Sequence, residues 1–156
     1  MDMNKNEVVA LTVEILKEMV GLFPECMKGR DGGHLIIWRI GDKYPTISEQ
    51  VRMNICAVPD ENFVGYRVNA IEKGERLGNM AVKESHISSW ESRNFDNKKY
   101  GGAVLAGEWI ISFSGLPEKL DEFLTSEIGS RLDIMEPEVL KRIAMASDNE
   151  FLLDAA

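Results

Sequence analysis

The stretch "AVLAGEWIISFSGLPEKLDEF", residues 103–123, constrains the fold more than any other part of the chain. Two short apolar runs, 103–106 and 109–113, stand either side of Gly107-Glu108. Glycine at the first position of a two-residue connection permits the positive φ of a type II′ turn, so the runs fold back on one another as a hairpin. Alternate side chains of a strand point to opposite faces, which puts Trp109, Ile111 and Phe113 together. A lone hairpin is marginal in water, so the rest of the chain must bring further strands and covering helices.

Helical signals supply the cover. Asn4-Lys5-Asn6-Glu7 has the form of a capping box, and Val8, Leu11, Ile15, Met19 and Leu22 recur at spacings of three and four behind it. Residues 64–82 repeat the helical spacing with Val64, Val68, Ile71 and Leu77. Ala70, Gly74 and Gly78 add a line of small residues to that helix. Each interior glycine costs about 1 kcal/mol against alanine, and close approach of the helix to a sheet is the compensating reason. Pro117 suits a first helical turn, with Glu118 and Asp121 near the positive helix end and Leu120, Phe123, Leu124, Ile128 and Leu132 as the buried stripe. Glu136-Pro137 opens a last helix to about residue 146, and residues 147–156 read as a tail or an apolar C-terminal arm.

Between these lie two more strands. "HLIIWRI", residues 34–40, is β-branched and aromatic throughout, the pattern of a strand buried on both faces. "QVRMNICAV", residues 50–58, alternates, with Val51, Met53, Ile55 and Ala57 on one face. Residues 83–100 are polar and without period, and carry His86, Trp90, Phe95 and Tyr100; they read as a long loop with one short turn. The element order is helix, strand, strand, helix, strand, strand, helix, helix. Short links between strands imply an antiparallel sheet, and the whole of 1–156 reads as a single α+β domain with flanking helices.

Charge and motif content exclude several functions. The net charge of −8 opposes a phosphate backbone, and the basic pairs Lys98-Lys99 and Lys141-Arg142 are too sparse for a nucleic-acid surface. Asp2, Glu7, Glu14 and Glu18 interrupt the apolar N-terminal stretch, so neither a signal peptide nor a membrane span is expected and the location reads as cytoplasmic. Cys26 and Cys56, without C-x-x-C spacing, read as reduced thiols in or near the core. Ser114 lacks the G-x-S-x-G elbow of a hydrolase, and no phosphate-binding glycine loop occurs. His34 and His86 are isolated: His34 reads as a strand residue, His86 as the better metal-ligand candidate. Glu118, Asp121 and Glu122 are accounted for by solvation and the helix dipole.

"NAIEKGERLG", then "YGGAVLAGEWIISFSG" and an acidic helix, resemble the GlcG/HbpS-like, haem-degrading family over roughly residues 51–132. Ala70 and Lys73 match its helix, Gly101 and Gly102 its double glycine, Gly107 and Glu108 its turn, and Ser114 and Gly115 its strand end. The proline that follows the family's double glycine is absent here. "DGGHL", residues 31–35, also looks like a family strand but lies about fifteen residues early, so residues 50–58 are taken as the equivalent. The resemblance implies a profilin-like domain, assembly into dimers or larger rings, and haem or a corrinoid as ligand in some relatives. Two functional readings follow. The first is a small-ligand-binding domain, with haem or a related tetrapyrrole as ligand: His86 would ligate the metal, Trp90 or Tyr100 would stack on the flat ligand, and Gly101 and Gly102 would lie against it. The second is a non-catalytic module for oligomerisation or partner binding. The C-terminal "FLLDAA" places Phe151, Leu152 and Leu153 together and points to a homodimer contact. Neither reading makes the chain an enzyme.

Overall fold

The hairpin forms where the sequence places it. In the computed structural model, which describes residues 2–53 and 61–155, strand β3 (Ala103–Ala106) pairs antiparallel with β4 (Trp109–Ser114) across a turn in which Gly107 takes φ 60°. Strand β4 also pairs antiparallel with β1 (Gly32–Arg39), which pairs antiparallel with β2 (Ile47–Arg52), giving the order β2-β1-β4-β3. The described residues thus form an α+β domain: a four-stranded antiparallel sheet with helices on both faces.

Each face has its own core. On one, helix α2 (Asn62–Glu84) packs through Ala70 and Leu77 against Ile36 and Trp38 of β1, Ala103 of β3 and Ile110 of β4. The small-residue line is what lets it approach: a Cβ on Gly74 would lie 2.2 Å from Cζ3 of Trp38. On the other face, α1 (Lys5–Leu22) and α3 (Glu118–Arg131) cover Leu35, Ile37, Ile111 and Phe113. Helices α4 (Pro137–Ser147) and α5 (Glu150–Ala155) close the edge of this larger core. Strand β1, buried along nearly all its length, sends alternate side chains into both cores, as its unbroken apolar run requires.

Several expectations are corrected. The buried side of α1 is Val8, Thr12, Ile15, Leu16 and Met19, while Leu22 is exposed; Thr12 is admitted because its hydroxyl donates to the Val8 carbonyl at 2.8 Å. Helix α2 turns Val64, Val68 and Val82 to solvent, because the small residues and not the valines meet the sheet. Strand β2 starts at Ile47, earlier than expected; Val51 and Met53 are buried, and Ile55, Cys56 and Ala57 lie outside the described residues. Cys26 is exposed, not in the core.

The C-terminal segment is neither a tail nor a free arm. Residues 150–155 form α5, Leu152 is fully buried, and Phe151 packs edge-on against Phe23 with ring centroids 4.8 Å apart. The apolar cluster that suggested a dimer contact is therefore taken up within its own domain; Leu153 alone of the three stays exposed. Among the described residues no helix is long and apolar enough to cross a membrane.

Candidate functional site

Lys73 is the fully buried ammonium at the centre of the site. It lies on the sheet-facing side of α2, and its Nζ donates to the Gly101 carbonyl at 3.0 Å and to Oδ2 of Asp121 at 3.1 Å. Asp121 comes from the first turn of α3, and its Oδ1 accepts the Leu116 N–H at 2.9 Å. Gly102 makes the pair possible. It holds φ 122°, which L side chains rarely adopt, and a Cβ there would lie 2.5 Å from Nζ of Lys73. Burial pushes the Asp121 carboxyl up to about 6, against the opposing pull of Lys73, the Leu116 N–H and, at longer range, Arg30.

This pair forms part of the wall of a cavity of about 490 Å³ between the α1–β1 link, α2, the end of β4 and the start of α3. Its aromatic wall is Tyr66, Phe95 and Tyr100, the last two in edge contact with centroids 5.8 Å apart. Glu118 also lines it, but is held by Arg93 at 2.7 Å and accepts the Gly101 N–H at 3.1 Å. Lys28 and Arg30 also line it, with Asn69 of α2 and the corner of residues 114–117. Buried Met27 anchors the turn that carries them, and Lys28 itself takes φ 53° there.

The candidates read from the sequence divide. Tyr100 lines this cavity, Gly101 supplies the carbonyl that holds Lys73, and Gly102 makes room for the ammonium. Trp90 packs on Gly101 and lines a different, more apolar cavity of about 360 Å³ with Cys26 and Phe151. His86 lines neither; it follows α2, is half-buried, and its Nδ1 is buried without a hydrogen-bond partner. Among the described residues no group of three or more His, Cys, Asp or Glu is placed to hold a metal ion. His34 donates or accepts at 2.9 Å with the Ser48 hydroxyl, as a strand residue.

The segment 85–100 is a built wall and not the open loop expected. It contains two 3-10 turns, Ser89–Ser92 and Phe95–Asn97, the first closed by a capping box between Ser88 and Glu91. Arg76 on α2 ties it down, donating to the Ser89 carbonyl at 2.8 Å, the Tyr100 carbonyl at 2.6 Å and the Ser92 hydroxyl at 2.5 Å.

The reading of Asp121 and Glu122 as solvated helix-start carboxylates is overturned: both are buried. Glu122 accepts hydrogen bonds from the hydroxyls of Ser88 and Ser147 and from Nδ2 of Asn149 at 3.0 Å. Burial raises its pKa and these donors partly offset the rise. Residues 120–126 are all buried, so α3 is enclosed over this stretch, a consequence of tertiary packing that an acidic first helical turn does not announce.

Comparisons of the chain with protein-family models, with curated proteins and with solved structures find no match.

Proposed function

We propose that the protein is a small-ligand-binding domain whose site is the cavity beside Lys73 and Asp121. The observation that carries this reading is a buried Lys–Asp pair, 3.1 Å apart, on the wall of a cavity of about 490 Å³, a size within the range of small-molecule sites. A fully buried ion pair is weak evidence for stability, since an apolar pair of similar volume serves as well or better. Its position at a cavity with convergent polar groups and aromatic walls supports a functional reason for keeping it.

Haem or another tetrapyrrole, the ligand that the resemblance implies, would use His86 as its metal ligand; His86 lies outside this cavity's lining, so the geometry favours a smaller ligand. The alternative of an association module draws less support, because Phe151 and Leu152 are packed on their own domain. Within the resemblance, a profilin-like domain that encloses a small molecule is the reading that joins sequence and site.

A ligand-observed NMR screen of small organic fragments tests it, run on the protein and on Asn69→Trp, which fills the cavity from its α2 wall. Fragments that bind the native chain and are lost from the variant support the site. Equal binding to both, or none to either, overturns it. Titration with haemin, read as a visible spectrum in native and His86→Ala protein, checks the tetrapyrrole expectation in parallel; no saturable spectrum is expected.

A further inference from the structure

The charges around the cavity do not cancel. Of the two carboxylates in the lining, Asp121 is paired with Lys73 and Glu118 with Arg93. The remaining charged side chains of the lining are Lys28 and Arg30, and neither forms an ion pair among the described residues. Two unpaired cations thus face one cavity in a chain whose net charge is −8.

The turn that holds them is also shaped for it. Met27 is buried and its amide donates to the Phe23 carbonyl at 3.1 Å, while the Arg30 amide closes the turn by donating to the Met27 carbonyl at 3.0 Å. The left-handed conformations of Lys28, φ 53°, and Gly29, φ 73°, reverse the chain between α1 and β1 within this turn. A lysine in that region is strained, and such strain persists only where the surroundings fix it. The same cavity is lined by Tyr66 and Tyr100, half-buried, and by Phe95, which is exposed.

We infer that the cavity takes a small organic anion, a carboxylate or phosphate monoester on a flat apolar body, with the oxyanion at Lys28 and Arg30 and the body against Tyr66, Tyr100 and Phe95. Arg30 supplies the planar fork that matches an oxyanion in two hydrogen bonds, and Lys28 adds a second charge. The Lys73–Asp121 pair is not the anion's counter-charge. It is already neutral as a pair and keeps the wall polar, so that a ligand's second polar group is accepted there without an uncompensated charge. This inference rests on the ligand-binding reading of the same cavity and adds the class of ligand to it.

The test compares benzoate, phenyl phosphate and uncharged benzamide by calorimetry and by backbone amide shifts at pH 7.5 in low salt, on the native chain and on the double variant Lys28→Gln, Arg30→Gln. Benzoate and phenyl phosphate are expected to bind saturably and to shift the amides of Gly115 and Leu116, benzamide to bind at least roughly tenfold more weakly, and the double variant to lose tenfold or more for both anions while keeping its melting temperature. Added salt is expected to weaken the anions and leave benzamide unchanged. Benzamide binding as well as benzoate, or anion binding unaffected in the double variant, overturns the anion assignment while leaving the cavity a ligand site. Absence of binding by all three, with fragments of other classes still found by the screen above, overturns it in the same way. Preference for phenyl phosphate or for benzoate decides which oxyanion the site is built for.

Discussion

Asp121 and Glu122 are neighbours on one helix, both buried, both raised in pKa by the same cause, and held by opposite chemistry. Asp121 meets an ammonium and one backbone N–H beside a cavity with two further cations in its lining. Glu122 meets three neutral donors from Ser88, Ser147 and Asn149, which join the wall segment, α4 and the α4–α5 link to α3, and it lines neither cavity described above. Burial alone therefore does not mark a functional group. What marks it is the company: a carboxylate saturated by neutral donors is a knot in the fold, whereas one balanced by a single cation at a cavity wall is set where a ligand can meet it.

The largest expected effect comes from breaking the Asp121 side. Lys73→Ala leaves a buried carboxylate without its cation and is expected to cost about 3–5 kcal/mol in urea unfolding. The double change Lys73→Met, Asp121→Leu should recover most of that loss, because two apolar side chains of similar volume need no compensation. A double variant as unstable as Lys73→Ala would mean that the pair is needed for the fold itself.

Breaking the Glu122 side is expected to cost less. Glu122→Gln keeps one acceptor oxygen for three donors and should cost about 1–3 kcal/mol through hydroxyl and amide groups left unsatisfied. Binding of an anionic probe should be unchanged in this variant. A variant that keeps its stability but loses the ligand would reverse the roles assigned to the two carboxylates.

A smaller effect separates them by pH. Both folded pKa values lie above those of the unfolded chain, so the folded state holds protons that the unfolded state releases. Their contribution to stability is complete below about pH 4 and is lost as pH rises through about 6 for Asp121. Between pH 5 and 7 the unfolding free energy should fall by the order of 1 kcal/mol from Asp121 alone. Glu18 and Glu150, whose pKa values are lowered by Arg131 and by hydrogen bonds, act in the opposite sense, but at pH below that interval. Asp121→Asn is expected to flatten the slope between pH 5 and 7, leaving only what Glu122 contributes. An unchanged slope in that variant would show that Asp121 is not the group that titrates.

The sequence made the frame legible because the frame is periodic. The hairpin at Gly107, the two-sided β1 run and the small-residue line of α2 each obey a local rule that survives folding. The site escaped for the converse reason. Lys73, Gly101 and Asp121 lie 28 and 48 residues apart from one end of the trio to the others, and only the packing of α2 and α3 at the same end of the sheet brings them together. In the sequence only the family resemblance marks Lys73 and the double glycine, and Asp121 carries no mark because an acidic residue in a first helical turn has an ordinary explanation. His86 and Trp90 stood out for their residue types, which say nothing of where a side chain is aimed. Three adjacent apolar residues at the C-terminus call for a neighbour, and the chain itself supplies one distant in sequence: Phe23 stacks edge-on with Phe151 at 4.8 Å and in turn with Phe123 at 5.4 Å.

The distinction between the two carboxylates can be read in one experiment, a backbone amide map of the native protein at saturating phenyl phosphate. The amides of Gly101, Gly115 and Leu116 around Asp121 are expected to shift, while those of Ser88, Ser147 and Asn149 around Glu122 stay in place. Shifts confined to the Glu122 group, or no shift in either group at millimolar probe, would contradict the account.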